Sequence, residues 1–87
     1  MKTYHLIIST PDGNVFDGDA AMLTVRGSEG DLAVLADHIP FITAVKDCEA
    51  GIVFGDNEEK RAKIGGGILT VNKQVTTLLT SDFKFIE

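Results

Sequence analysis

The chain has 87 residues, 44% of them apolar, and a formal net charge of −5. That length makes one domain, residues 1–87, burying roughly 60–65% of its unfolded surface, and that apolar share excludes a disordered tail. The longest apolar run is a few residues, which excludes a membrane-spanning helix, and no basic start leads into an apolar stretch of signal-peptide length.

A soluble protein made in the cytoplasm is therefore expected. Lys60-Arg61 and Lys63 form a small basic cluster that follows Glu58 and Glu59. Nucleic acid and anionic lipid both need a basic stripe, so neither is an expected partner.

Along the chain the signals are short, period-two and punctuated by turns. Tyr4, Leu6 and Ile8 alternate with His5, Ile7 and Ser9 as a first strand. Pro11-Asp12-Gly13-Asn14 reads as a tight turn. Val15 and Phe16 resume extended structure until Asp17-Gly18-Asp19, which reads as a break. Leu23 and Val25 then face one way and Met22, Thr24 and Arg26 the other. Ala20-Ala21-Met22-Leu23 is the best helical candidate, but Thr24, Val25 and nearby Gly18 favour a strand.

Beyond a Gly27–Asp31 turn, Leu32 and Val34 start the next strand, and Pro40 marks a corner before Phe41, Ile42 and Val45. Ile52-Val53-Phe54 is a strand, Gly55-Asp56-Asn57 a turn, and Glu58 to Ile64 a polar strand with Ala62 and Ile64 inward. Ile68 to Val71 pairs with Val75 to Leu79 through a two-residue turn at Asn72-Lys73. Phe83, Phe85 and Ile86 follow a Ser81-Asp82 turn. Nine or ten short strands imply an all-β fold: a β-sandwich, or flattened barrel, of about ten strands.

Few side chains suggest chemistry. A phosphate cradle at Gly65-Gly66-Gly67 would need a following helix, whereas Ile-Leu-Thr-Val predicts a strand. A bulge or close backbone packing is expected instead. His38 and His5 are the two histidines, and neither has a nucleophile and orienting acid at suitable spacing. A polar corner contact is expected of His38 and a surface position of His5. Cys48, a lone thiol, reads as a small half-buried strand residue. The carboxylates lie in or near turns, and Asp17-Gly18-Asp19 is too short for a calcium loop, so no metal site is predicted. Gly27-Ser28-Glu29-Gly30-Asp31 differs: two glycines permit a projecting loop with two acids and a hydroxyl near its tip. It reads either as a solvated hairpin or as an acidic knob for a basic or polar partner surface.

Gly27-Ser28-Glu29-Gly30-Asp31-Leu32 with His38-Ile39-Pro40-Phe41-Ile42-Thr43-Ala44 resembles the hallmark stretch of the epsilon subunit of F-type ATP synthases. Thr3-Tyr4-His5-Leu6, Val15-Phe16-Asp17-Gly18 and Gly65-Gly66-Gly67-Ile68-Leu69-Thr70-Val71 resemble other strands of that family, in the same order.

The resemblance implies a β-sandwich of about ten strands, without catalytic residues of its own, in the central rotor stalk. It implies contact between Ser28, Glu29, Gly30 and Asp31 and the membrane ring of c subunits. It also implies contact between His38, Ile39, Ile42 and Thr43 and the gamma subunit. The implied place is the cytoplasmic face of a bacterial inner membrane, without insertion and without a cofactor.

Departures from the family pattern are Ala36-Asp37 before His38, where Pro-Gly is usual, and the absence of a proline–glycine turn in Lys46 to Gly51. Family members usually continue into a two-helix hairpin that inhibits hydrolysis and in some bacteria binds ATP. The sequence stops at Glu87, so neither hairpin activity, ATP binding included, is expected of it.

The expected mechanism is a stiff coupling element, with Ile39, Phe41 and Ile42 as candidates for an apolar gamma face, some of them needed in the core. A ligand-binding β-sandwich is the alternative; it would want an exposed aromatic platform, and the chain has no Trp and one Tyr. A small hydrolase lacks its nucleophile–base pair.

Overall fold

In the computed structural model, residues 2–37 and 39–86 are described, and they contain no helix. Nine strands are found among them: β1 Tyr4–Thr10, β2 Gly13–Gly27, β3 Gly30–Leu35, β4 Phe41–Val45, β5 Cys48–Phe54, β6 Glu59–Ile64, β7 Gly67–Val71, β8 Thr76–Thr80 and β9 Phe83–Ile86.

The expectation of about ten strands and the observed nine differ at β2, which runs unbroken through Asp17-Gly18-Asp19. Gly18 stands opposite buried Leu6, and a Cβ at Gly18 would lie 3.2 Å from Cζ of Phe16. The Phe16 ring, two residues away on the same side, covers the missing side chain and keeps the strand extended. Asp17 and Asp19 point to solvent.

The N-terminal half of β2 pairs with β1, and its C-terminal half pairs with both β3 and β5. One long strand thus serves two layers. The first is built from β2, β1, β8, β7 and β4, the second from β3, β2, β5, β6 and β9. β1 is held between β2, antiparallel, and β8, parallel. A single residue pair, Gly27 with Val45, joins β2 to β4 and closes the flattened barrel at one corner.

The core is aliphatic. Leu6, Ile8, Leu23, Ile52, Leu69 and Leu78 are fully buried, each contributing about 1.5–3 kcal/mol relative to exposure. Phe16, Phe41, Phe54 and Phe83 are partly buried and pack against this cluster. Turn chemistry places the connections. Asn57, at φ 71°, occupies the left-handed position of the 55–57 turn. The Asn72 side chain accepts from the N–H groups of Gln74 and Val75, and Asn72 N–H donates to the Val75 carbonyl. The hairpin therefore centres on Lys73-Gln74, one residue later than expected.

Candidate functional site

The β2–β3 hairpin is built by its glycines. Gly27 pairs with Gly30, leaving Ser28 and Glu29 as a two-residue tip. Gly30 has φ +126°, a conformation that favours glycine. The tip is fastened sideways: Ser28 N–H donates to the Ala44 carbonyl at 3.1 Å, and Lys46 N–H donates to the Arg26 carbonyl at 2.9 Å. These bonds flank the Gly27–Val45 pair, so the hairpin and the end of β4 form one corner.

The four loop residues expected to act together are divided. Ser28, Glu29 and Gly30 are exposed at the tip. Asp31 lies one step into β3, opposite Arg26, and its carboxylate accepts from Arg26 Nε at 3.1 Å.

The second expected set is also divided. Ile39 and Ile42 are 75% and 72% exposed. Thr43 stands opposite buried Leu69, on the inward side of β4, and Phe41 packs against the core. His38 lies outside the described residues.

On the outer side of the same layer the sequence reading missed two residues, Ile68 and Leu79. They are half exposed and directly opposite each other across β7 and β8, and Ile68 is also opposite Ala44 of β4. With Ile42 they make an apolar band across three strands. The signal was in the sequence: both Ile68-Leu69 and Leu78-Leu79 place apolar residues on successive, hence opposite, faces, and Leu69 and Leu78 alone satisfy the core.

The other outer face is polar. The Glu49 carboxylate bonds to Arg61 and, by that hydrogen bond and by its charge, pushes the guanidinium above its ordinary value. Cys48 is half-buried and its Sγ accepts from Arg26 N–H at 3.4 Å, as a small strand residue should.

No nucleophile meets a base among the described side chains. His5 Nε2 contacts Asp17 at 2.5 Å, while the Ser9 hydroxyl is engaged by Asn14. The glycine triplet is close packing, as expected: a Cβ on Gly67 would sit 1.9 Å from the Leu79 carbonyl oxygen, and one on Gly65 would sit 2.2 Å from Ser81 Oγ.

Residues 3–85 match the family model described as the ATP synthase, Delta/Epsilon chain, beta-sandwich domain. The chain belongs to this ATP synthase delta/epsilon family. It is 40% identical over 79 residues to the ATP synthase epsilon chain, sodium ion specific, of Acetobacterium woodii, covering 91% of this chain and 59% of that protein. It is 38% identical over 78 residues to the ATP synthase epsilon chain of Alkalihalophilus pseudofirmus, covering 90% and 59%. The chain thus spans 59% of the length of these curated relatives.

Two solved structures share the delta/epsilon fold. One is a chain of the Euglena gracilis mitochondrial ATP synthase OSCP/F1/c-ring structure, with TM-score 0.89 at 21% identity over 95% of this chain and 53% of that one. The other belongs to the Tetrahymena thermophila mitochondrial ATP synthase central stalk and c-ring structure, with TM-score 0.80 at 13% identity over 95% and 66%. The β-sandwich expected from the resemblance is the fold of this family domain.

Proposed function

We propose that this delta/epsilon domain is a non-catalytic rotor-stalk element of an F-type ATP synthase. It joins the gamma subunit to the c ring on the cytoplasmic side of a bacterial membrane and passes ring rotation to gamma. The observation that carries the reading is the corner at Ser28–Ala44 and Arg26–Lys46, where one rigid unit presents two different surfaces.

The hairpin tip, Ser28, Glu29 and Gly30 with Asp31 beside it, is polar and acidic and suits the loops of a membrane ring. The outer face of β4, β7 and β8, with Ile42, Ile68 and Leu79 and with Ile39 nearby in the chain, is apolar and suits gamma. Thr43 and His38 complete the set that the resemblance assigns to gamma. Antiparallel hydrogen bonding and close packing between the two surfaces resist shear, which is what a coupling without slip requires. The names of the relatives and of the structural neighbours support the same reading.

The test is reconstitution. The 87-residue chain is added to ATP synthase stripped of its epsilon subunit. Restored attachment of the catalytic head to membranes and restored coupling are expected, with no strong inhibition of hydrolysis. A chain that associates with neither gamma nor the ring refutes the proposal.

A further inference from the structure

We propose that the cavity between the β7–β8 turn and the end of β3 is a binding site for a small carboxylate. The site shares no residue with the hairpin tip or with the band of Ile42, Ile68 and Leu79. It therefore stands or falls separately from the rotor role proposed above.

The cavity measures about 200 Å³, and its lining includes Tyr4, Asp37, Asn72, Lys73, Gln74 and Thr76. A water molecule takes about 30 Å³, so there is room for a molecule of a few carbons. Thr76, the first residue of β8, is only 2% exposed. Its hydroxyl has no hydrogen-bond partner among the described residues, yet it is not sealed off, because it opens into this cavity. A buried hydroxyl in that position is unfavourable until a guest supplies its partner.

The groups around it are donors. The Asn72 side-chain oxygen accepts from the N–H groups of Gln74 at 2.9 Å and Val75 at 2.8 Å, so its amide has only N–H left to offer. Lys73 is exposed and takes part in no ion pair among the described residues. The Tyr4 hydroxyl gives its proton to the Val34 carbonyl. The one acid among the described lining residues, Asp37, lies 3.4 Å from Lys2 Nζ. The mouth thus carries two lysines against one carboxylate, on a chain whose net charge is −5. One positive charge in excess, with hydroxyl and amide donors beside it, matches a single carboxylate.

The test is a nuclear magnetic resonance titration of the free chain with sodium acetate, against sodium chloride and neutral acetamide at equal ionic strength. Acetate should cause saturable shifts confined to the amides of residues 35–37 and 72–76, half-complete at on the order of 1–10 mM, as a four-atom ligand allows. Thr76→Val keeps the side-chain shape and removes the hydroxyl, and it should weaken acetate about tenfold. Lys73→Gln, at an exposed turn, should do the same. Thr77→Val, one residue along on the opposite face of β8, should change nothing. Shifts that never saturate, that chloride or acetamide reproduces, or that persist unweakened in Thr76→Val overturn the proposal. Should Thr76→Val disturb the fold, unweakened acetate binding by Lys73→Gln overturns it equally.

Discussion

The Tyr4 hydroxyl donates to the Val34 carbonyl at 2.9 Å, tying the first strand of one layer to the edge strand of the other. Burial pushes this phenol well above its ordinary value, against a smaller opposing effect of the Leu23 backbone. The unfolded chain ionises Tyr4 near pH 10, at about the model-peptide value. The native state holds the neutral form, so this contribution is complete below that pH and is lost as the pH rises above it.

Stability to urea should thus fall as the pH is taken from about 9 to about 11, and Tyr4→Phe should lack that part of the fall. At neutral pH the Tyr4→Phe substitution should destabilise by about 1 kcal/mol, since it leaves a carbonyl without its donor. Tyr4 is the sole tyrosine, so its absorbance titration reads the site directly. A native phenol titrating near 10 would contradict the burial argument.

Gly67→Ala should be among the most damaging small substitutions. The new methyl would overlap the Leu79 carbonyl, which is backbone and cannot swing aside. A loss of about 2 kcal/mol or more is expected in denaturant titration. Gly13→Ala, with open space around it but φ +120°, should cost about 1 kcal/mol through strain alone. The reverse ranking would show that β7 and β8 can separate.

Leu69→Ala should remove about 2–5 kcal/mol, while Ile42→Ala, on the exposed face of β4, should stay within about 0.5 kcal/mol. A domain of this length has only about 4–13 kcal/mol in total, so the Leu69 variant stands close to unfolding at ambient temperature. Circular dichroism melts separate the two.

Ile68→Asp and Leu79→Asp should fold with nearly native melting temperatures, because both side chains are half exposed. They should nonetheless abolish co-purification with gamma, because a charge would be left in a desolvated apolar contact. Retained gamma binding in both variants would move the gamma surface elsewhere on the domain.

The alternation of Leu23 and Val25, the Gly55-Asp56-Asn57 turn and the inward Ala62 and Ile64 could be read directly, because each is a local signal with a local cause. The continuity of β2 could not. Asp17-Gly18-Asp19 carries turn chemistry, and only the fit of the Phe16 ring over Gly18 overrides it. The hairpin at Lys73-Gln74 was displaced by one residue because the Asn72 side chain caps two following N–H groups. The tip at Ser28 and Glu29 was visible from its two glycines. The contact between Arg26 and Asp31 was not, since it needs the register of two strands. Ile68 and Leu79 were hidden for a related reason: an apolar residue is assigned to the core until the core is seen to be full.

β1 lies between β2 and β8, and the parallel partner arrives some seventy residues after it in the chain. During synthesis the first strand must therefore wait, with one edge open, until β8, Thr76–Thr80, has left the ribosome. Assembly dominated by such distant pairings is slow, on the order of milliseconds to seconds. The unpaired edge of β1 is then the natural binding place for a chaperone and the natural starting point for aggregation.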